Sequence, residues 1–520
     1  MQVDTFFKHY SVTANPFAAE EARLDPIFSQ LLAGGATHPD YPKIAGQVDQ
    51  PSTAVVFGEK GSGKTAMRLL MGQQIAEHNE KNPDRKVLIV AYDDLNPVLD
   101  RLLRVRKQNT DAMLKQLRLE DHQDAILARA VTRLTQAILG DTETGDAEAL
   151  VLDDATRKML RKLPKPNRLN LAVLSALYDQ PRSGATGERF DRLRKALRVG
   201  TGLALTMGKL SIASTIASAA ALVLGVWKFA IAGESGGPWW LIPAFAAAAG
   251  LTLIGWGFWL FNWFKLWNKS RLAIKDTPAI QRETGELRAM LAALPIGAAD
   301  GQPLPVPARP GQTLSDSRYQ LTRKLVDLLL ELGYTGVIIF VDRVDEPTVV
   351  HGDAEKMKAI TWPMFDNKFL KQDRIGVKLL LPLELGYMLK REGPTFFQEA
   401  RLDKQNLVEK LTWSGATLYD LCTLRLRAVQ SPGATSEDGT PMKLTDLFED
   451  DVDPSMLIDA LDQMHQPRDA FKFLYAVVQE HCKLVPEDDG RFKIARLTLE
   501  TVRKQQSQRV QELHRGLGPA

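Results

Sequence analysis

The stretch Gly58-Glu59-Lys60-Gly61-Ser62-Gly63-Lys64-Thr65 matches the pattern G-x-x-x-x-G-K-[ST] at every fixed position. An apolar run, residues 53–57, precedes it, and a segment with helical periodicity from Ala66 to Ile75 follows it. Strand, glycine-rich loop and helix in this order are the context that the pattern requires. The competing interpretation, a chance match, does not account for this context. The sequence therefore predicts a loop that binds phosphate groups.

Each fixed position of this loop has a chemical reason. Glycines let successive backbone N–H groups point inward at phosphate oxygens, and the N-terminal end of the following helix adds partial positive charge. The Lys64 ammonium can reach the β- and γ-phosphates of a nucleotide, and the Thr65 hydroxyl can join the coordination shell of Mg²⁺. We therefore expect residues 58–65 to bind ATP together with Mg²⁺.

A phosphate loop of this kind needs a carboxylate at the end of a neighbouring strand. The apolar run that begins at Val337 ends in Asp342, which we expect to hold Mg²⁺ through its water. Two more carboxylates follow. Glu346 is the first candidate to orient or deprotonate the attacking water, and Asp345 is the second. The alternative interpretation is an acidic loop that is only solvated at a strand end.

The remaining elements predict an α/β fold with a parallel sheet flanked by helices. Further strands are expected at Lys86–Tyr92 and Val377–Leu383, because both are short apolar runs at the spacing of strands joined by helices. Residues 96–140 have helical periodicity. From about residue 398 the chain is mainly helical, interrupted by a surface loop at 431–441.

Two long apolar runs interrupt the phosphate-binding domain. Neither 210–227 nor 235–264 contains an ionisable side chain, and each is long enough to span a bilayer. The outer flanks carry the cations Arg189, Arg192, Arg194, Lys195, Arg198, Lys265, Lys269, Arg271 and Lys275. Between the runs the ionisable residues are Glu234 in the turn and Lys228 near one end of the first span, where its stem can snorkel to the interface. This charge distribution predicts two transmembrane helices, at about 210–231 and 239–264, with both outer flanks in the cytoplasm.

Aromatic and small residues agree with this prediction. Seven of the nine tryptophans lie in this region, most of them where aromatic belts are expected: Trp227, Trp239, Trp240, Trp256, Trp259, Trp263 and Trp267. Small residues recur every fourth position at Ala213, Ala217, Ala221 and Gly225, which indicates a close-packing face for the second helix or another subunit. The alternative is a buried hairpin in a soluble core. We expect an inner-membrane protein with both termini and the nucleotide-binding domain in the cytoplasm, and self-association into a homo-oligomer.

Five parts of the chain follow from these patterns. They are an N-terminal segment (1–50), the first part of the nucleotide-binding domain (51–198), the hairpin (199–270), a linker with the second part of that domain (271–397), and a C-terminal helical domain (398–520). The linker includes a Pro/Gly-rich stretch at 295–311.

The strand ending in Asp342, followed by Arg343-Val344-Asp345-Glu346, resembles the Walker B segment of NACHT-type STAND ATPases. A phosphate-loop domain interrupted by membrane helices is similarly a feature of the related KAP ATPases. The resemblance covers the nucleotide-binding core. It implies an ASCE-type sheet, in which one strand separates the phosphate-loop strand from the strand ending in Asp342, and a helical lid after the last strand.

The segment from His465 to Asp469, which opens a helix, resembles the Pro-Arg position where the lid of related ATPases carries a sensor arginine. The resemblance implies that Arg468 contacts the γ-phosphate. The alternative is an arginine that is solvated or salt-bridged at a helix start.

Composition restricts the remaining classes of function. A formal charge of +3 is too small to indicate a nucleic-acid partner. Two cysteines, Cys422 and Cys482, cannot build a disulfide framework and suit a reducing compartment. The eight histidines are scattered, which argues against a metal site made by protein ligands alone. The first residues lack a signal-peptide profile, so we expect the N-terminus to remain in the cytoplasm.

Together these features predict a membrane-anchored ATPase that acts as an ATP-driven switch. ATP binding would close the lid and drive assembly or a change at the membrane, and hydrolysis would reset it. The resemblance implies a role in bacterial signalling or anti-phage defence. One alternative is a nucleotide-gated membrane scaffold that hydrolyses weakly and recruits a soluble partner. Another is a membrane-tethered DNA-handling ATPase that uses the C-terminal cations Arg491, Lys493, Arg496, Arg503 and Lys504.

Overall fold

A computed structural model of the chain describes most of its residues. The described ranges are 1–18, 22–28, 38–141, 152, 154–181, 185–200, 203–231, 241–295, 297–298, 300, 304–305, 314–431 and 441–514. The predicted turn between the apolar helices, most of the 295–311 linker and most of the 431–441 loop lie outside these ranges.

The described residues contain five strands and twenty-one α-helices. The strands are β1 (Ala54–Gly58), β2 (Lys86–Tyr92), β3 (Tyr334–Val341), β4 (Ile375–Pro382) and β5 (Asn406–Val408). The first helices are α1 (Val3–His9), α2 (Tyr41–Ala45), α3 (Lys64–Lys81), α4 (Asn96–Arg106), α5 (Thr110–Lys115), α6 (Leu119–Leu139), α7 (Asp154–Lys162), α8 (Lys165–Tyr178) and α9 (Thr186–Ala196). The apolar region and its continuation form α10 (Leu203–Ile231), α11 (Leu241–Asp276), α12 (Thr284–Ala292) and α13 (Leu314–Glu331). The remaining helices are α14 (Ala354–Thr361), α15 (Asn367–Leu370), α16 (Leu383–Leu389), α17 (Pro394–Ala400), α18 (Gly415–Ala428), α19 (Pro454–Asp462), α20 (Pro467–Leu484) and α21 (Arg496–His514).

The five strands form one parallel sheet in the order β2-β3-β4-β1-β5. The predicted α/β fold with a parallel sheet flanked by helices is therefore confirmed. One strand, β4, separates β1 from β3, which is the arrangement that the resemblance implied. The pairing of β1 with β4 places Gly58 opposite Pro382, so the end of β4 reaches the same edge as the start of the phosphate loop. Both strands are buried throughout their length, which explains their mainly apolar sequences, with Lys378 of β4 as the charged exception.

The chain divides into two compact units, and β3 passes from one to the other. The first unit comprises Met1–Lys81, Ile338–Thr361 and Phe365–Ala520. Its C-terminal helices share a hydrophobic core that also includes Phe6 and Phe7 of α1. This unit contains the phosphate loop, Asp342 and the predicted lid.

The second unit comprises Asn82–Val337 and Trp362–Met364. A buried ion pair connects its helices, because Nη2 of Arg318 on α13 lies 3.0 Å from Oδ2 of Asp124 on α6. Tyr178 at the end of α8 donates a 2.7 Å hydrogen bond to the same carboxylate. Burial raises the pKa of Asp124 to about 6, and Arg318 opposes this shift. These contacts join the three helices α6, α8 and α13. Removing either charged partner would destabilise the unit, because the other charge would be left buried and uncompensated.

Helices α10 and α11 of the second unit pack against each other as a hairpin. Polar hydrogen bonds join them, from Trp256 Nε1 to Thr215 Oγ1 at 3.0 Å and between the hydroxyls of Ser214 and Thr252 at 3.0 Å. The predicted small-residue face of α10 does not form this contact, because Ala213 and Ala217 on it are exposed. The α10–α11 contact thus uses hydroxyl side chains, so the alanine face does not serve the second helix.

Within the part of the chain that is described, no helix combines the length and apolar character needed to cross a membrane. The structure therefore does not support the transmembrane part of the predicted fold. The turn at 232–240 and the side chains of 224–226 and 228–231 are outside the described set. Large apolar side chains on both helices of the hairpin are exposed: Ile212, Ile216, Leu222, Val223, Trp227, Leu253, Ile254, Phe258, Leu260, Phe261 and Phe264.

Candidate functional site

The phosphate loop links the buried end of β1 to the start of α3. Gly61 and Gly63 have φ angles of 95° and 92°, in the left-handed region that glycine adopts without steric cost. The helix begins at Lys64, directly after the second of these glycines. The loop thus presents the N-terminal end of a long helix, where backbone N–H groups and partial positive charge favour an anion.

The Lys64 ammonium lies on the loop itself. Its Nζ atom donates hydrogen bonds of 2.7 Å to the carbonyl oxygen of Gly58 and 2.9 Å to that of Glu59. Burial lowers the pKa of Lys64, and nearby carboxylates oppose this shift. In decreasing order of effect these carboxylates are Asp342, Asp345, Glu384 and Glu59. A partly buried ammonium among carboxylates is therefore the central charge of the site.

The structure brings the phosphate loop and Asp342 together. The hydroxyl of Thr65 donates a 3.0 Å hydrogen bond to Oδ2 of Asp342, and the backbone N–H of Arg343 donates a 2.9 Å bond to Oδ1. Nε of Arg68 lies 3.8 Å from Oδ2. Asp342 is 1% exposed. Burial raises its pKa, while the hydrogen bond from Thr65 and the charges of Arg68 and Lys64 oppose the shift.

The two candidate catalytic carboxylates have different surroundings. Arg343 has a φ angle of 60° and begins a turn. The backbone N–H of Glu346 closes this turn by donating a 3.2 Å hydrogen bond to the carbonyl of Arg343. Within this turn Nε of Arg343 lies 3.0 Å from Oε1 of Glu346, whose side chain is 52% exposed. Asp345 is only partly exposed, and its charge acts on Lys64. Glu346 is thus exposed and paired with an arginine, whereas Asp345 is partly buried and acts electrostatically on Lys64. The assignment of either carboxylate to the attacking water stays a prediction.

The start of α20 lies against the phosphate loop. A Cβ atom placed on Gly61 would be 2.9 Å from Cβ of Arg468 and 3.0 Å from Oε1 of Gln466. On another side of the loop, Nε1 of Trp413 donates a 2.9 Å hydrogen bond to the carbonyl of Ser62. Arg468 is thus placed beside the loop, and its contact with a γ-phosphate stays a prediction.

Several residues at this site were not predicted from the sequence. Arg68 lies one helical turn after Thr65, on the same face of α3. This spacing is the one local feature of the sequence that places Arg68 near the site. Glu384 lies two residues beyond Pro382, the register partner of Gly58. Trp413 and Lys410 have no local pattern that distinguishes them from surface residues. Gln466 lies in the segment 465–469 that indicated Arg468, but its own amide has no such pattern either.

The oxygen atoms at the loop fit a magnesium ion. The hydroxyl of Thr65 and the carboxylate of Asp342 are hard donors 3.0 Å apart, and Mg²⁺ characteristically takes few protein ligands and completes its shell with water and phosphate. Over the described residues there is no group of three or more His, Cys, Asp or Glu side chains placed to hold a metal without such help.

The C-terminal cations that suggested DNA handling have carboxylate neighbours. Arg491 lies 2.5 Å from Asp489, and Arg503 lies 2.5 Å from Glu500. Lys493 similarly lies 3.0 Å from Asp450. These pairs reduce the local positive potential that a nucleic-acid backbone would need.

Comparison of the chain with protein family models, curated proteins and solved structures gives no match.

Proposed function

We propose that this chain is a P-loop ATPase that binds ATP and Mg²⁺ at the loop formed by residues 58–65. The observation that carries the proposal is the 3.0 Å hydrogen bond between Thr65 and Asp342, beside the Lys64 ammonium. These three groups have the chemistry that a magnesium-bound triphosphate requires, namely a cation, a hydroxyl and a carboxylate. The five-stranded parallel sheet with β4 between β1 and β3 supports the same class.

Each residue has a defined role in this proposal. Lys64 leaves the carbonyls of the loop and neutralises the β- and γ-phosphates. Thr65 and Asp342 hold Mg²⁺, which supplies charge stabilisation to the transferred phosphoryl group. Asp345 accepts a proton from the attacking water or orients it, and Glu346 stays paired with Arg343. Arg468, next to Gly61, contacts the γ-phosphate.

The proposal extends to an ATP-driven switch of the STAND or KAP type on the cytoplasmic side of the inner membrane, with the hairpin of α10 and α11 as its two-span anchor. Apolar runs at 210–227 and 235–264 with cationic flanks, together with the exposed apolar side chains on both helices, support the anchor. A homo-oligomer and a role in bacterial signalling or defence complete the proposal. Membrane pelleting after an alkaline carbonate wash supports the anchor, and release into the supernatant contradicts it.

A second candidate function is a nucleotide-gated scaffold that hydrolyses ATP weakly. Arg343 directly after Asp342 favours it, because the guanidinium engages Glu346, one of the two candidate bases, in a 3.0 Å ion pair. ATP turnover separates the two candidates. The purified protein in detergent should hydrolyse ATP, and Lys64→Ala should abolish this. Nucleotide binding without turnover favours the scaffold, whereas Lys64-independent turnover rejects the assignment of the site.

A further inference from the structure

A carboxylate occupies the second position of the phosphate loop. Glu59 follows Gly58 directly, and its charge acts on Lys64. A negative charge at this position repels the phosphate groups of a nucleotide, and the repulsion is strong where water is partly excluded. The Glu59 side chain is only 19% exposed, so solvent alone does not remove its effect. The loop therefore needs another means of compensating this charge.

Two residues outside the loop hold the Glu59 carboxylate. Nζ of Lys410 lies 2.9 Å from Oε1, and the amide of Gln466 donates a hydrogen bond to Oε2. Each oxygen of the carboxylate thus has its own partner. Lys410 is 47% exposed and belongs to the segment between β5 and α18, whereas Gln466 precedes the first residue of α20. The two partners come from different parts of the C-terminal region.

Both partners are fixed close to the loop by contacts of their own segments. The backbone N–H of Leu411, next to Lys410, donates a 2.8 Å hydrogen bond to the carbonyl of Phe57 at the end of β1. The Trp413 indole bonds to the carbonyl of Ser62. On the other side, Gln466 and its neighbour Arg468 lie so close to Gly61 that no side chain fits there. The Glu59 carboxylate is therefore held by two segments, those of Lys410 and Gln466, which themselves contact the phosphate loop or the end of β1.

From this geometry we infer that Lys410 and Gln466 are positioning residues of the nucleotide site, which neutralise Glu59 and fasten the lid to the phosphate loop through it. Lys410 compensates the charge that would repel the triphosphate. Gln466 holds the other oxygen of the carboxylate and so joins the start of α20 to the loop. Release of nucleotide then requires the lid to separate from Glu59. The inference rests on the proposed nucleotide binding at residues 58–65.

Nucleotide binding by Lys410→Met tests the inference. A fluorescent ATP analogue with Mg²⁺ is titrated into the full-length protein in detergent, and its dissociation is followed after mixing with excess ATP. We expect Lys410→Met to raise the dissociation constant by about two- to fivefold, mainly through faster dissociation, because one partly exposed ion pair is lost. KM rises with it, while kcat changes less than twofold, about the scatter between preparations. Lys410→Arg keeps the charge and restores the wild-type affinity.

A charge-removal variant separates neutralisation from simple packing. If Lys410 acts by compensating Glu59, then Glu59→Gln in the Lys410→Met background regains much of the lost affinity, because the repelling charge is gone. A packing role predicts no such recovery. Lys390→Met is the matched control. Lys390 forms a 2.8 Å ion pair with Glu409, the residue that precedes Lys410 in the chain. This variant should bind like the wild type, and thermal melting checks that all variants are folded.

The outcomes for this inference and for the proposed function are distinct. If the wild-type protein fails to bind the analogue, the proposed nucleotide site is wrong. If the wild type binds and Lys64→Ala does not, but Lys410→Met binds and releases like Lys390→Met, the inference about Lys410 and Glu59 is overturned. Loss of affinity in Lys410→Met without recovery by Glu59→Gln also overturns it.

Discussion

The side-chain hydroxyl of Thr65 donates a 3.0 Å hydrogen bond to Oδ2 of Asp342, although 277 positions separate the two residues in the chain. Thr65 belongs to the first turn of α3 and Asp342 follows the last residue of β3. Both are at the carboxyl edge of a parallel sheet, where α/β proteins bind their ligands. This one contact joins the two halves of the proposed site and determines which substitutions should matter.

Substitution of the two carboxylates after Asp342 should identify the group that acts on water. We expect Asp345→Asn to lower kcat by about 100-fold or more, the usual contribution of a general base, with little change in nucleotide affinity. Glu346→Gln should lower kcat much less, because Glu346 is half exposed and paired with Arg343. Steady-state ATP hydrolysis measures both. The opposite ranking would return the role to Glu346, the residue that the sequence placed first.

Alanine at the two glycines of the loop should reveal the lid contact. Gly61 and Gly63 have almost the same φ, so Gly61→Ala and Gly63→Ala share a backbone strain of about 1–3 kcal/mol. Only at Gly61 does the added Cβ collide with Arg468, because at Gly63 the nearest atom is Cζ2 of Trp413 at 3.7 Å. We expect the Gly61 variant to melt at a lower temperature and to release nucleotide faster than the Gly63 variant. Equal melting temperatures and release rates would mean that α20 does not press on the loop.

A buried lysine should make the free energy of unfolding depend on pH. Lys378 in β4 donates to the carbonyls of Ile44 and Ala45, and burial lowers its pKa from 10.5 to about 8. The unfolded chain therefore binds a proton between about pH 8 and pH 10.5 that the folded chain does not. The contribution of this group to stability is full above that window and decreases as the pH falls through it.

The measurement is denaturant unfolding from pH 7.5 to 10.5. As the pH rises across this window, we expect the free energy of unfolding of the wild type to increase by about 1–3 kcal/mol more than that of Lys378→Met. The variant lacks the titrating ammonium, so it has no proton to lose. Comparison of the two pH slopes removes the effect of other titrating groups. Parallel slopes would show that the lysine titrates alike in the folded and unfolded chains.

Sheet strands with strong apolar runs could be predicted from the sequence, whereas weak ones could not. The strand predicted at Lys86–Tyr92 has the bounds that the structure gives β2, and the strand ending in Asp342 corresponds to β3. The edge strand β5 has three residues, too few for any periodicity. The region 96–140 was predicted as helical without its breaks, yet Asn109 caps α5 by accepting a 2.8 Å bond from the N–H of Ala112. Asparagine is a preferred residue at helix starts, so Asn109 was a local signal for a break in the helical region.

The candidate site divides in the same way. Lys64, Thr65 and Asp342 belong to motifs in which spacing reflects chemistry, so the sequence alone predicts that they lie together, as the structure shows for Thr65 and Asp342. Gln466 and Lys410 contact the loop only because the C-terminal helices fold back onto it, and an amide or a lysine has no local pattern that indicates such a contact. The transmembrane prediction depended on hydropathy and flanking charge, and the structure of the described residues does not support it.

The central claim is that residues 58–65 and Asp342 form one site for magnesium and a triphosphate. Its most direct test is ATP binding by calorimetry, with and without Mg²⁺, for the wild type, Lys64→Ala and Asp342→Ala. The account predicts that Mg²⁺ tightens binding to the wild type, that Asp342→Ala still binds but loses the gain from Mg²⁺, and that Lys64→Ala fails to bind. An undiminished gain from Mg²⁺ in Asp342→Ala would contradict it.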